Sequence, residues 1–154
     1  MAQVKEFHLP DDLYYDRKEH MWARVEDGGV RVGLDAFGAC SAGTMAYIKL
    51  MPLGREVKKG RAFGSLEAGK YVGPFKAPVG GKVVEVNQDA VSEPTLLNEE
   101  HYEKSWLVLL EPTNLETDLV DLVHGEDVQP WLAEEVEEYE SKGMLKPEAK
   151  RTCK

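Results

Sequence analysis

The residues best suited to chemistry are one lysine and two thiols. Lys70 stands in "SLEAGKYVGPFKAPVGG", directly after Gly69 and between two runs that read as strands, where a two-residue hairpin turn would put it. Gly69 permits a tight turn, Pro74 and Pro78 stiffen the backbone that follows, and "GKVVEVN" supplies a strand to brace the pair. A turn lysine is ordinarily a solvated surface charge. A rigid tip nevertheless suits an amine that a modifying enzyme must reach and from which a carried group must swing. Cys40, inside "GACSAG", and Cys153, in the tail, are the only cysteines. A cysteine among small residues usually packs as a small hydrophobe, whereas a thiol in an exposed tail is open to exchange. Their separation fits no zinc or iron–sulfur pattern, and no metal site is expected.

Other reactive constellations are missing. The four histidines, His8, His20, His101 and His124, are scattered, and there is no H-E-x-x-H, G-x-S-x-G or P-loop. "GREVKKG" has the glycines and lysines of a phosphate cradle in the wrong order. His20 and His101 read first as structural residues. The acidic run "EEVEEYE" reads first as a solvated helix face and only second as a docking patch for basic partners. Nothing resembles a self-contained active site.

The elements that must position Lys70 are short strands. "MWARVEDGGVRVGL" (21–34) reads as a hairpin, with Trp22, Arg24 and Glu26 on one face and Met21, Ala23 and Val25 on the other. Small residues at 35–43 allow one helical turn, and strands are expected over 44–51, 61–67, 81–87 and 105–111. The loop from Gln88 to Lys104 has room for a turn of helix. From Thr113 the period changes to that of helices, with a Thr113/Glu116 capping box. In the last helix Val128, Trp131, Leu132, Val136 and Tyr139 share one face. The expected fold is mainly β (α+β), a flattened barrel and sandwich hybrid with C-terminal helices. Residues 1–135 form the carrier domain, and 136–154 the helix end and a mobile tail.

The chain has 154 residues with 42% hydrophobic and 31% charged content, which fits one globular domain. A net charge of -9 argues against nucleic acid. No apolar run approaches the ~20 residues of a membrane span. The opening "MAQVKEFHLPDD" lacks secretory and transit signals, so a cytoplasmic location is expected.

Taken together, the stretches resemble the H proteins of the glycine cleavage system over about residues 7–135. Lys18, His20 and Trp22 match K-x-H-x-W. Glu67 and Lys70 match E-S-V-K-A at the right offset from Pro78-Val79 and Gly81. Trp106-Leu107 and Pro112 match the last strand. The resemblance implies a fold of the lipoyl-domain type and lipoic acid in amide linkage on Lys70, with Glu67 and Gly69 as its neighbours. It implies a carrier rather than an enzyme, served by a lipoate-attaching enzyme. Several positions depart from the family pattern: Ala68-Gly69 precedes the lysine, Tyr71-Val72-Gly73-Pro74-Phe75 replaces A-x-x-D-I/Y, and Met21 replaces the Glu of E-W. These changes and the two cysteines look like the H-protein-related lipoate-binding proteins of bacterial sulfur oxidation. Those proteins serve a heterodisulfide-reductase-like complex, and there Cys40 and Cys153 would be candidate redox or sulfur-bearing thiols. The alternative is glycine cleavage itself, with glycine decarboxylase, aminomethyltransferase and dihydrolipoamide dehydrogenase as partners. A biotinyl domain lacks support, because M-K-M does not surround the lysine; a purely structural scaffold would make Lys70 incidental.

Overall fold

The computed structural model describes residues 2–4, 7–27, 29–68 and 71–142. β1 (Ala2–Val4) and β2 (Phe7–Leu9) form a short antiparallel ribbon. β3 (Tyr14–Tyr15), β4 (Met21–Glu26) and β5 (Gly29–Leu34) begin a second sheet. It is completed by β7 (Glu56–Val57), β10 (Gly81–Val86) and β11 (Val108–Pro112), in the order β3-β4-β5-β11-β10-β7. A third sheet contains β6 (Met45–Leu50), β8 (Ala62–Ala68) and β9 (Tyr71–Lys76), with β8 in the centre. Val30, Val32, Val83 and Leu110 of the larger sheet share one buried cluster with Ile48, Phe63, Leu66 and Phe75 of the smaller. This is the β-sandwich expected of the lipoyl-domain type.

The alternation in 21–34 is present, with one informative exception. Met21 and Ala23 are buried as expected, while Val25 at the sheet end is 47% exposed. Trp22, expected on the polar face, is also fully buried. Its cross-strand partner is Gly33, where a Cβ would stand 2.5 Å from the indole ring, so glycine leaves the room that the ring fills. The indole N–H donates to the His101 carbonyl at 2.8 Å, and the Arg24 guanidinium lies 5.0 Å over the ring.

Helices occupy the connections and the end of the chain. α1 (Ala36–Ala42) exceeds the single turn expected, and the Asp35 carboxylate caps it by accepting from Gly38 N at 2.8 Å. The long loop holds α2 (Gln88–Ser92) and α3 (Leu96–Glu99). Asn98 ties α3 to β6, accepting from Met45 N and donating to the Gly43 carbonyl, each at 2.8 Å. β11 begins at Val108, later than expected, because the Asn87 amide holds the carbonyls of Lys104 and Trp106 in the preceding loop. The expected capping box does not form: α4 (Leu115–Leu119) follows Asn114, which makes no side-chain cap bond. α5 (Val128–Ser141) buries Val128, Trp131, Leu132 and Val136, the face read from its spacing. These residues join Phe7, Phe37 and Cys40 in a second cluster between β2, α1 and α5. Among the described residues no helix is long and apolar enough to cross a membrane.

Candidate functional site

β8 and β9 form the hairpin that leads to Lys70. Their last paired residues are Ala68 and Tyr71, so the connection consists of positions 69 and 70 alone. Gly69 and Lys70 themselves lie outside the described residues, as does Cys153. The strands are firmly held up to that point. Phe63, Leu66, Ala68 and Phe75 are buried against the larger sheet, and the rings of Phe63 and Phe75 stack at 5.8 Å. β6 pairs along the other edge of β8. A Cβ on Gly64 would run into the Lys49 carbonyl oxygen, so glycine is what lets the two strands close here.

The opposite face of the same three strands is open. Glu67 is exposed and lies between Tyr47 of β6 and Val72 of β9 in one cross-strand row. Tyr47 is 56% and Val72 68% exposed, unusually high for large apolar side chains.

A cleft of about 230 Å³ runs along the flank of the hairpin. Leu66, Pro74 and Phe75 form one wall; Lys18, Glu19, His20 and Met21 form another. Ser41 of α1 and Tyr139 of α5 also line it. The Glu19 carboxylate is engaged by the Lys76 ammonium at 3.6 Å. Met21 and Pro74, two of the positions at which acidic residues were expected from the resemblance, meet in this one cleft and make its lining apolar.

His20 closes the inner end. It adopts a left-handed backbone (φ 58°), uncommon for a residue with a side chain, and is almost fully buried. Its ring lies 4.8 Å from Phe37 and stacks on Trp131 at 5.0 Å. Nδ1 meets Asp35 Oδ2 at 3.0 Å and Nε2 meets Glu135 Oε1 at 2.7 Å. Burial opposes charge on this ring, but the two acids outweigh it and raise the pKa from 6.5 to about 9. At neutral pH both ring nitrogens therefore donate, one to the cap of α1 and one to α5. Sequence reading missed this clamp. Glu135 belongs to the run taken as a solvated face, and its partner is 115 positions earlier in the chain.

Cys40 is fully buried on α1, in the cluster that α5 covers. His101 is a structural residue: its carbonyl holds Trp22, and burial pushes the pKa of its ring down.

The family model "Glycine cleavage H-protein" matches residues 13–135. Glycine cleavage system H protein 2 of Aquifex aeolicus is 45% identical over 130 residues, which cover 84% of this chain and 81% of that protein. The glycine cleavage system H protein of Oceanobacillus iheyensis is 40% identical over 124 residues, covering 80% and 97%. The crystal structure of a glycine cleavage system H protein from Mycobacterium marinum matches with a TM-score of 0.73 at 27% identity. That match covers 83% of this chain and 99% of the other. The chain belongs to the glycine cleavage H-protein family, carrier proteins without catalysis of their own that bear a lipoyl group on a lysine.

Proposed function

We propose that Lys70 is the lipoyl-bearing residue and that the protein carries an aminomethyl load among the enzymes of glycine cleavage, in a cytoplasm. The supporting observation is the strand register. Ala68 pairs with Tyr71, which leaves only two positions between braced strands, and Lys70 is one of them. The amide forms as Lys70 Nζ displaces the leaving group of an activated lipoyl acyl donor and loses a proton to solvent. The linkage removes the ammonium charge and leaves an arm of about a dozen ångströms.

The residues present fit such an arm. Leu66 is four positions from Lys70, at most about 14 Å of chain, and Leu66, Pro74 and Phe75 offer an apolar wall along which it would lie. When bound, the group supplies a dithiol and disulfide couple, whose thiolate is a nucleophile and whose disulfide accepts exchange. The chain supplies presentation, with 1–135 as the carrier unit and 136–154 as its trailing end. The partners under this reading are a lipoate-attaching enzyme, glycine decarboxylase, aminomethyltransferase and dihydrolipoamide dehydrogenase. The names borne by the relatives favour this assignment. Reconstitution tests it: purified lipoylated protein with those three enzymes should support glycine oxidation, and Lys70→Arg should not.

One observation favours a second reading, the sulfur-oxidation carrier working with a heterodisulfide-reductase-like complex. A protonated amine resting in the cleft wants a carboxylate partner, whereas Met21 and Pro74 are apolar and Glu19 is paired with Lys76. An uncharged sulfur load has no such need. Under this reading Cys40 and Cys153 are the thiols to test. Because Cys40 is fully buried, exchange with the arm would require α1 to open. Failure of glycine oxidation, together with sulfur transfer from the loaded protein, would establish this reading in place of the first.

A further inference from the structure

The exposed row Tyr47–Glu67–Val72 has no role in the core and none in the cleft. We propose that this row, on the open face of β6, β8 and β9, is the docking surface for the enzyme that acylates Lys70. The inference rests on Lys70 being the modified lysine, but not on which pathway the carrier serves.

Three observations carry it. The first is distance. Val72 is two positions from Lys70 and Glu67 three, at most about 7 and 11 Å of chain. Tyr47 stands one strand further, about 5 Å from Glu67. An ordinary interface buries about 800 Å² on each partner, a disc of roughly 16 Å radius. An enzyme whose active centre reaches residue 70 by way of this face thus covers the whole row.

The second is composition. Two large apolar side chains, 56% and 68% exposed, bracket one exposed carboxylate at the end of an otherwise well-packed sheet. The inner face of the same strands is anchored by Phe63, Leu66 and Phe75, so the row stands on rigid backbone. Apolar anchors around a fixed charge give both binding energy and register. The matching surface has an apolar patch with a basic group opposite Glu67, which the net charge of -9 also favours.

The third separates this occupant from the other partners. Enzymes that use the loaded carrier need only the far end of the arm, about a dozen ångströms from the lysine. The acylating enzyme must reach Nζ itself, so it alone is obliged to approach the strands that flank Lys70.

The test uses the unmodified full chain, a purified lipoate-attaching enzyme with lipoate and ATP, and intact mass as the readout. The Tyr47→Ser/Val72→Thr double variant should lower kcat/KM for acylation by about tenfold or more, and Glu67→Lys should do the same. Preloaded variants should be reduced by dihydrolipoamide dehydrogenase and NADH within about twofold of wild type, and their thermal unfolding should be unchanged. Acylation of the variants at the wild-type rate overturns the proposal. So does an equal loss in acylation and reduction, which would make the row a face shared by all partners. A wild type that gains no lipoyl mass, or gains it on another lysine, overturns the Lys70 assignment instead.

Discussion

The two ends of this molecule solve opposite problems. At the hairpin end, β8 and β9 bury one face and leave the other open, right up to the two positions that carry Lys70. At the other end, α1 and α5 enclose an aromatic cluster in which even the polar groups are spoken for. His20 is held between Asp35 and Glu135 and stacked on Trp131. A carrier needs a tip that several enzymes can reach and a body that does not yield when they pull on it. Packing is therefore concentrated away from the tip, and substitutions at the two ends should separate stability from modification.

The largest effect is expected in the cluster under α5. Phe37 is fully buried, touching Phe7 at 5.0 Å and Tyr139 at 4.8 Å. Phe37→Ala should cost about 3–5 kcal/mol in urea unfolding, without changing the site of lipoylation in whatever fraction remains folded. A smaller loss, below about 1 kcal/mol, would mean that α5 contributes little to the body.

Next comes the clamp. The folded pKa of His20 is raised, from 6.5 to about 9, so its protonated form stabilises the fold. That stabilisation is fully present below pH 6.5 and is lost as pH rises through about 9. The wild type should therefore lose up to about 3 kcal/mol relative to His20→Gln between these limits. Parallel pH profiles for the two proteins would show that the ring does not bind α5 through its charge.

At the hairpin end, Gly64→Ala pushes a methyl group against the Lys49 carbonyl and should cost about 1–3 kcal/mol by parting β6 from β8. Val72→Thr, on the open face, should change stability by less than about 0.5 kcal/mol. If thermal melts rank these two in the reverse order, the division between a braced inner face and a free outer face is wrong.

Much of this division could be read before any coordinates. The hairpin around Lys70, the strand at 81–86 and the buried stripe of α5 followed from alternation and helical spacing, because one face of each meets the core. What escaped was whatever depended on distant partners. Trp22 alternates with core residues and so looked external; only Gly33 opposite and the loop at His101 make its side of the sheet an interior. Glu135 looked solvated among acids because its partner, His20, is distant in sequence. β2 and β3 are too short to show a period at all. Asn114 displaced the expected cap because Thr113 and Glu116 satisfy a pattern of spacing, while the hydrogen bond depends on how the chain leaves β11.

The central claim is that a single lysine, Lys70, carries the lipoyl group. Intact-mass measurement followed by peptide mapping, on protein from cells supplied with lipoate, tests it most directly. Wild type should gain about 188 Da, one lipoyl amide, located on the peptide that contains Lys70, and Lys70→Arg should gain nothing. A lipoyl group on any other lysine, or on Lys70→Arg, would contradict the account.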